Sequence, residues 1–161
     1  MIKPTVEFKR DPRYKGGLEA IIKNVKPGAV EVGILAGTGV HPNAEGGQTV
    51  AEVAVWNEFG TKRGTPPRPF LRATMRTQRR DYSRLMARLL KSMINRKLTT
   101  KQAQGLLGLR AQSDVRETLV QWPWKPNTTR TIARKKSATP LVDTGFLRQS
   151  INWAAVRGTF I

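Results

Sequence analysis

Chemistry at a protein site needs ionisable or nucleophilic side chains gathered closely enough to tune one another, and here such residues are few and dispersed. His41 is the single histidine, set in a Gly- and Pro-rich stretch, and the eleven acidic residues are scattered, with Asp11, Asp81, Asp114 and Asp143 far apart in sequence. A Ser-His-Asp triad could in principle recruit His41, yet no serine carries the glycine pattern of a nucleophile elbow. His41 therefore reads as a surface loop residue rather than a general base. No paired ligand spacing suits a metal ion. With no cysteine there is no disulfide, thiolate nucleophile or Cys-based zinc site. Gly37-Thr38-Gly39 and Gly46-Gly47 complete neither a GxGxxG nor a Walker pattern and read as flexible loop. The expectation is a protein that is not an enzyme, with no cofactor and no metal; a small hydrolase using His41 is the weakest of three function classes weighed.

Charge is the strongest signal. Lys and Arg number 29 against 11 Asp and Glu, a net charge of +18 and a pI near 11.4. Such an excess repels itself unless a polyanion or an acidic protein surface lies opposite. Arg72, Arg76, Arg80, Arg84, Arg88 and Lys91 step by four, four, four, four and three, a row that drifts slowly around one side of a helix. A solvated face would explain it. A surface turned toward DNA or an acidic neighbouring subunit is slightly favoured, because six basic positions with only Asp81 among them exceed what solvation needs. Trp122 and Trp124 flank Pro123 and read as anchors of a loop rather than as base-stacking platforms.

The elements that carry these residues follow from hydrophobic period and capping. Leu18, Ile21, Ile22 and Val25 mark a short amphipathic helix ended by Lys26-Pro27-Gly28, and Ala29–Leu35 alternates as a strand with Val30, Val32 and Ile34 on one face. Ala36–Gln48 is a Gly-rich loop. Thr49 and Glu52 form a capping box for a helix that stops at Gly60. Pro66, Pro67 and Pro69 then stiffen the approach to one long amphipathic helix, Phe70–Arg96, with Leu71, Met75, Tyr82, Leu85, Met86, Leu89 and Met93 on its apolar side. Thr99 and Gln102 make a second capping box, followed by the stripe Ala103, Leu107, Ala111, Val115, Leu119; Gly105 and Gly108 permit either close packing or a break. Trp122–Thr139 reads as a second extended loop. Asp143-Thr144-Gly145 leads a helical turn over Phe146 and Leu147, then a strand Ser150–Val156 with Ile151, Trp153 and Ala155 on one face. The 161 residues suit one core. Residues 1–161 are expected to form a single α+β domain: a small antiparallel sheet packed against the long helix 70–96, an N-terminal arm over about 1–13, and interaction loops 36–48 and 122–139. The polar N-terminus and the lack of an apolar stretch near the roughly 18 residues of a membrane span predict a soluble protein with no membrane partner and no cleaved signal.

Several phrases in order resemble one phage family: VEVGIL at Val30–Leu35, AEVAVWNEFGTKRGTPPRPFLR at Ala51–Arg72, and PLVDTGFLRQSINW at Pro140–Trp153. NEFGT and DTG are short; their order and separation, with RPF between them, carry the specificity. Together they resemble the tail completion or neck proteins of tailed bacteriophages, of the minor tail protein Z type, and related head-tail joining proteins, over roughly Val30–Val156. The resemblance implies an α+β structural subunit of the virion, assembled in the host bacterial cytoplasm and placed at the junction of head and tail. The partners it implies are copies of itself in a ring, of hexameric or dodecameric order, neighbouring neck proteins, the tail terminator or tail tube, and phage DNA touched non-specifically in the lumen. Asn57, Glu58, Phe59, Gly60, Thr61, Arg68, Pro69, Phe70, Asp143, Thr144 and Gly145 are its signature positions, none catalytic. Physically they read as structural: Gly60 closing a helix, Pro69 and Phe70 setting the start and core contact of the next, Asp143 or Thr144 capping the last turn. The competing function class is a sequence-independent nucleic-acid-binding protein acting alone.

Overall fold

A computed structural model describes residues 25, 28–41, 47–62, 64–135, 141 and 145–157. The expected N-terminal arm, nearly all of the helix at 18–25, the tip of the first loop, and Asp143 with Thr144 lie outside the described residues.

The fold is α+β. Strand β1 (Gly28–Ile34) pairs antiparallel with β2 (Ile151–Arg157), from Gly28 opposite Arg157 to Ile34 opposite Ile151. The described helices are α1 (Val50–Phe59), α2 (Phe70–Thr77), α3 (Arg79–Ile94), α4 (Thr100–Gln121), α5 (Thr129–Lys135) and α6 (Phe146–Gln149). Both capping boxes form. Thr49 Oγ1 accepts from Glu52 N at 3.2 Å while the Glu52 carboxylate accepts from Thr49 N at 2.7 Å, and Thr99 with Gln102 repeats the exchange ahead of α4. These hydrogen bonds, the one from the Thr49 backbone foremost, hold the Glu52 carboxyl below the usual carboxylate range.

The segment expected as one helix from Phe70 to Arg96 is two, divided at Gln78, whose ψ is 0°. Two threonines stand just ahead of the division. Thr74 Oγ1 donates to Phe70 O at 2.7 Å, and Thr77 Oγ1 donates to Ala73 O at 2.9 Å and to Thr74 O at 3.2 Å, so hydroxyls compete for the carbonyls that hold the helical ladder. The second helix ends at Ile94, and Arg96 turns left-handed with φ 57°. The loop expected over 122–139 contains α5, started by Thr128, whose Oγ1 accepts from Thr131 N at 3.3 Å.

The sheet packs on α4, not on the 70–96 segment. Glycine explains the choice. A Cβ on Gly108 would stand 2.3 Å from Cδ2 of the Trp153 indole, whereas one on Gly105 would meet only the ring's far edge at 3.8 Å. The bare backbone at Gly108 is the seat of Trp153. Polar side chains of α4 then reach the strands: Gln104 Nε2 donates to Ala29 O and Val156 O, Gln112 Nε2 to Ile151 O, and Arg116 to Gln149 O and Ile151 O.

Two hydrophobic clusters share α4. Val115 and Leu119 join Val50, Ala54, Phe70, Leu141, Leu147 and Ile151 in the larger; Ala103 joins Leu89 and Met93 of α3 in the smaller, with Leu85, Leu98 and Leu107 packed against it. Trp124 pins the chain leaving α4, its Nε1 donating to Leu119 O at 3.1 Å.

Gly108→Ala should therefore destabilise the protein by about 2 kcal/mol despite the gain of roughly 1 kcal/mol in helix propensity. Gly105→Ala should be neutral or stabilise by up to about 1 kcal/mol. Paired chemical denaturation curves measure both, and equal stability of the two variants would remove Gly108 as the seat of the sheet.

Candidate functional site

The signature positions from Asn57 to Phe70 converge where α1 hands the chain to α2. Glu58, in the last turn of α1, is only 4% exposed. Its carboxylate accepts from the first backbone N–H groups of α2, Leu71 N at 3.0 Å and Arg72 N at 3.1 Å, and from Arg72 Nε at 2.9 Å. Pro69, ahead of α2, offers no side-chain cap, so Glu58 supplies one from the neighbouring helix and sets a negative charge at the positive end of the α2 dipole. The Arg72 guanidinium also donates to Glu58 O at 2.8 Å and lies 4.6 Å over the exposed Phe59 ring.

The turn between the helices is shaped by the same phrase. Gly60 adopts φ 77°, and a Cβ there would stand 2.8 Å from Thr65 O, so glycine is required for conformation and for space. Thr61 N donates to Thr65 O at 3.0 Å, and Arg68 N donates to Asn57 O at 2.6 Å, which folds the Pro-rich stretch back onto α1. Asn57 Nδ2 donates to Val53 O at 2.8 Å. Arg68 is buried, 5% exposed. Its guanidinium donates to Lys125 O at 2.9 and 3.2 Å and to Asn127 Oδ1 at 2.9 Å, tying the turn to the segment after α4. Burial lowers its pKa from the ordinary arginine value. Phe70 is fully buried in the larger core. Gly145, at φ 78°, occupies the N-cap of α6 with no side-chain cap; Asp143 and Thr144, expected to cap that turn, lie outside the described residues.

The basic row is divided by the same break at Gln78. Arg72 and Arg76 belong to α2, Arg80, Arg84, Arg88 and Lys91 to α3, and all six are exposed. Arg72 is engaged by Glu58, and Arg84 approaches Asp81 at 3.4 Å, an exposed pair of small worth. Beside this row α3 and α4 enclose a groove of about 920 Å³ lined by Asp81, Tyr82, Arg84, Leu85, Ala87, Arg88, Leu106 and Arg110. Arg110 Nε donates to both oxygens of buried Asp114 at 2.9 Å, and this bond raises its pKa further. The Tyr82 hydroxyl is buried with no partner in hydrogen-bonding geometry; burial first, then the Asp114 charge, pushes its ionisation well above the ordinary phenol value. The apolar period of 70–96 picks out Tyr82 as an inward residue, while Asp114 stands in the sequence only as one of the scattered acids. The four-residue spacing of Arg110 and Asp114 is the one signal that points to their pairing.

His41 packs edge-on against the Phe146 ring at 5.8 Å, and its backbone donates to Gln48 O. Among the described residues no group of three His, Cys, Asp or Glu could hold a metal ion, and no helix is long and apolar enough to cross a membrane. Compared with family models, curated proteins and solved structures, the chain finds no match in any of the three.

Glu58→Ala strands two backbone donors and the Arg72 guanidinium, and should cost about 3 kcal/mol. Phe59→Ala, at an exposed ring, should cost under about 1 kcal/mol. Urea denaturation of the two variants tests the ranking; the reverse order would refute a structural role for the Glu58 carboxylate.

Proposed function

We infer that the chain is a structural subunit of a tailed-bacteriophage virion, acting at the head-tail junction, where several copies close into a ring that completes the tail and joins it to the DNA-filled head. The observation that carries this reading is the ordered resemblance of VEVGIL, NEFGT, RPFLR and DTGFLRQSI to tail completion and neck proteins. The α1–α2 junction supports it, because NEFGT and RPFLR, separated in sequence, meet through Glu58, Arg68 and Arg72 as one unit. A head-to-tail contact repeated with a closing rotation gives a ring. The exposed apolar side chains Val55, Trp56 and Phe59 on α1 offer a surface for such contacts. The role is mechanical and electrostatic: sealing, joining, and touching phosphates in the lumen without reading sequence.

The exposed residues Arg80, Arg84, Arg88 and Lys91 also suit the second reading, a sequence-independent nucleic-acid binder acting alone. Cryo-electron microscopy of virions of the phage that encodes the chain separates the two. Density for this subunit as a ring between head and tail is the expected result. Absence from mature particles, together with steeply salt-dependent DNA binding by the isolated monomer, would replace the virion reading with the nucleic-acid one.

A further inference from the structure

The groove between α3 and α4 is built differently from the bare basic row beside it. Its lining carries three cations, Arg84 and Arg88 from α3 and Arg110 from α4, against one exposed acid, Asp81, beside Arg84, and it sets Leu85 and Leu106 on facing helices with Tyr82 near them. Leu106 is 49% exposed, an apolar side chain left in water in a lining that carries three guanidinium groups. Arg110 is held at the rim through its Nε by Asp114, so its position is fixed while the terminal amino groups take no part in that bond.

The geometry points to this groove as the docking site of an acidic amphipathic helix from a partner protein, whose leucine-type side chains cover Leu85 and Leu106 and whose carboxylates meet Arg84, Arg88 and Arg110. Charge complementarity selects the sign of the partner. Spacing selects its form: Arg84 and Arg88 stand one helical step of four residues apart, about 6 Å along the axis, the same interval that separates carboxylates four residues apart on a facing helix. The facing leucines select protein over nucleic acid. A phosphate backbone needs only cations, and the one planar ring of the lining, Tyr82, is half-buried with its hydroxyl inside the protein, whereas Leu85 and Leu106 gain from covering by other aliphatic groups. A second copy of the chain is disfavoured, since it carries +18 and only one pair of its eleven acidic residues, Glu7 and Asp11, stands four apart. The inference goes beyond the neck reading and stands whichever assembly carries the subunit.

The test uses the full-length chain and three labelled probes followed by fluorescence anisotropy at physiological salt: a synthetic acidic helix with leucines along one face, a scrambled peptide of identical composition, and a mixed-sequence DNA duplex. The patterned peptide should bind about tenfold more tightly than the scrambled one. Leu106→Gln and Arg88→Glu should each weaken it by about tenfold or more. Both positions are exposed, and matching circular dichroism and melting curves confirm that the variants fold. Equal binding of the two peptides, or peptide binding unchanged in Leu106→Gln, would overturn the proposal. DNA binding stronger than peptide binding, lost in Arg88→Glu and untouched by Leu106→Gln, would assign the rim to phosphates and overturn it equally. Concentration-dependent self-association abolished by Leu106→Gln would give the groove to a second copy instead.

Discussion

A carboxylate removed from water must be surrounded by donors, and the side chain of Glu58 meets that requirement by gripping the start of the next helix. Two backbone N–H groups and one guanidinium converge on it. That single group fixes the angle between α1 and α2, which in turn decides where Phe70 enters the core and how the remainder of the chain is delivered to α4. Gly60 and Arg68 serve the same constraint from either side, the first by letting the backbone pass close to Thr65 and the second by fastening the turn to Lys125 and Asn127. A strongly basic protein has placed one of its few acids where removing it would expose several unsatisfied groups at once.

Local features of the sequence translated directly into structure. Thr49 with Glu52 and Thr99 with Gln102 make the reciprocal hydrogen bonds that their spacing announces, because a capping box is complete within four residues. The two strands fall within one residue of the alternating patterns at 29–35 and 150–156. Legibility ended where the outcome depended on partners distant in the chain. The row of arginines and the apolar stripe over 70–96 share a period that runs through Gln78 without a mark, although the helix divides there, just after the hydroxyl bonds of Thr74 and Thr77. The helix that carries the sheet could not be chosen from period either, since α4 is nearly as apolar on its exposed side, at Leu106, Leu109 and Val120, as on its buried one. Its selection rests on a missing side chain at Gly108, which a pattern of apolar residues does not register.

The site was legible in part. The phrase containing Glu58 stood out by resemblance, but its carboxylate could not be assigned to the start of α2 until the thirteen-residue separation from Leu71 was closed by the turn. The cationic residues of α3 were visible as a row; Arg110 and Leu106, which convert one flank of that row into a groove with two chemistries, come from another helix and share no period with it.

The pair of strands is itself too small to hold its alignment, because a displacement by one residue would preserve most ladder bonds while turning Trp153 outward and Asn152 inward. Gln104 removes that freedom. Its amide reaches the carbonyls of Ala29 and Val156, which are directly opposite one another across the ladder, and so reads the two chains as a matched couple. The helix thus performs the task that a third strand performs in wider sheets, acting as a ruler against which both strands are measured.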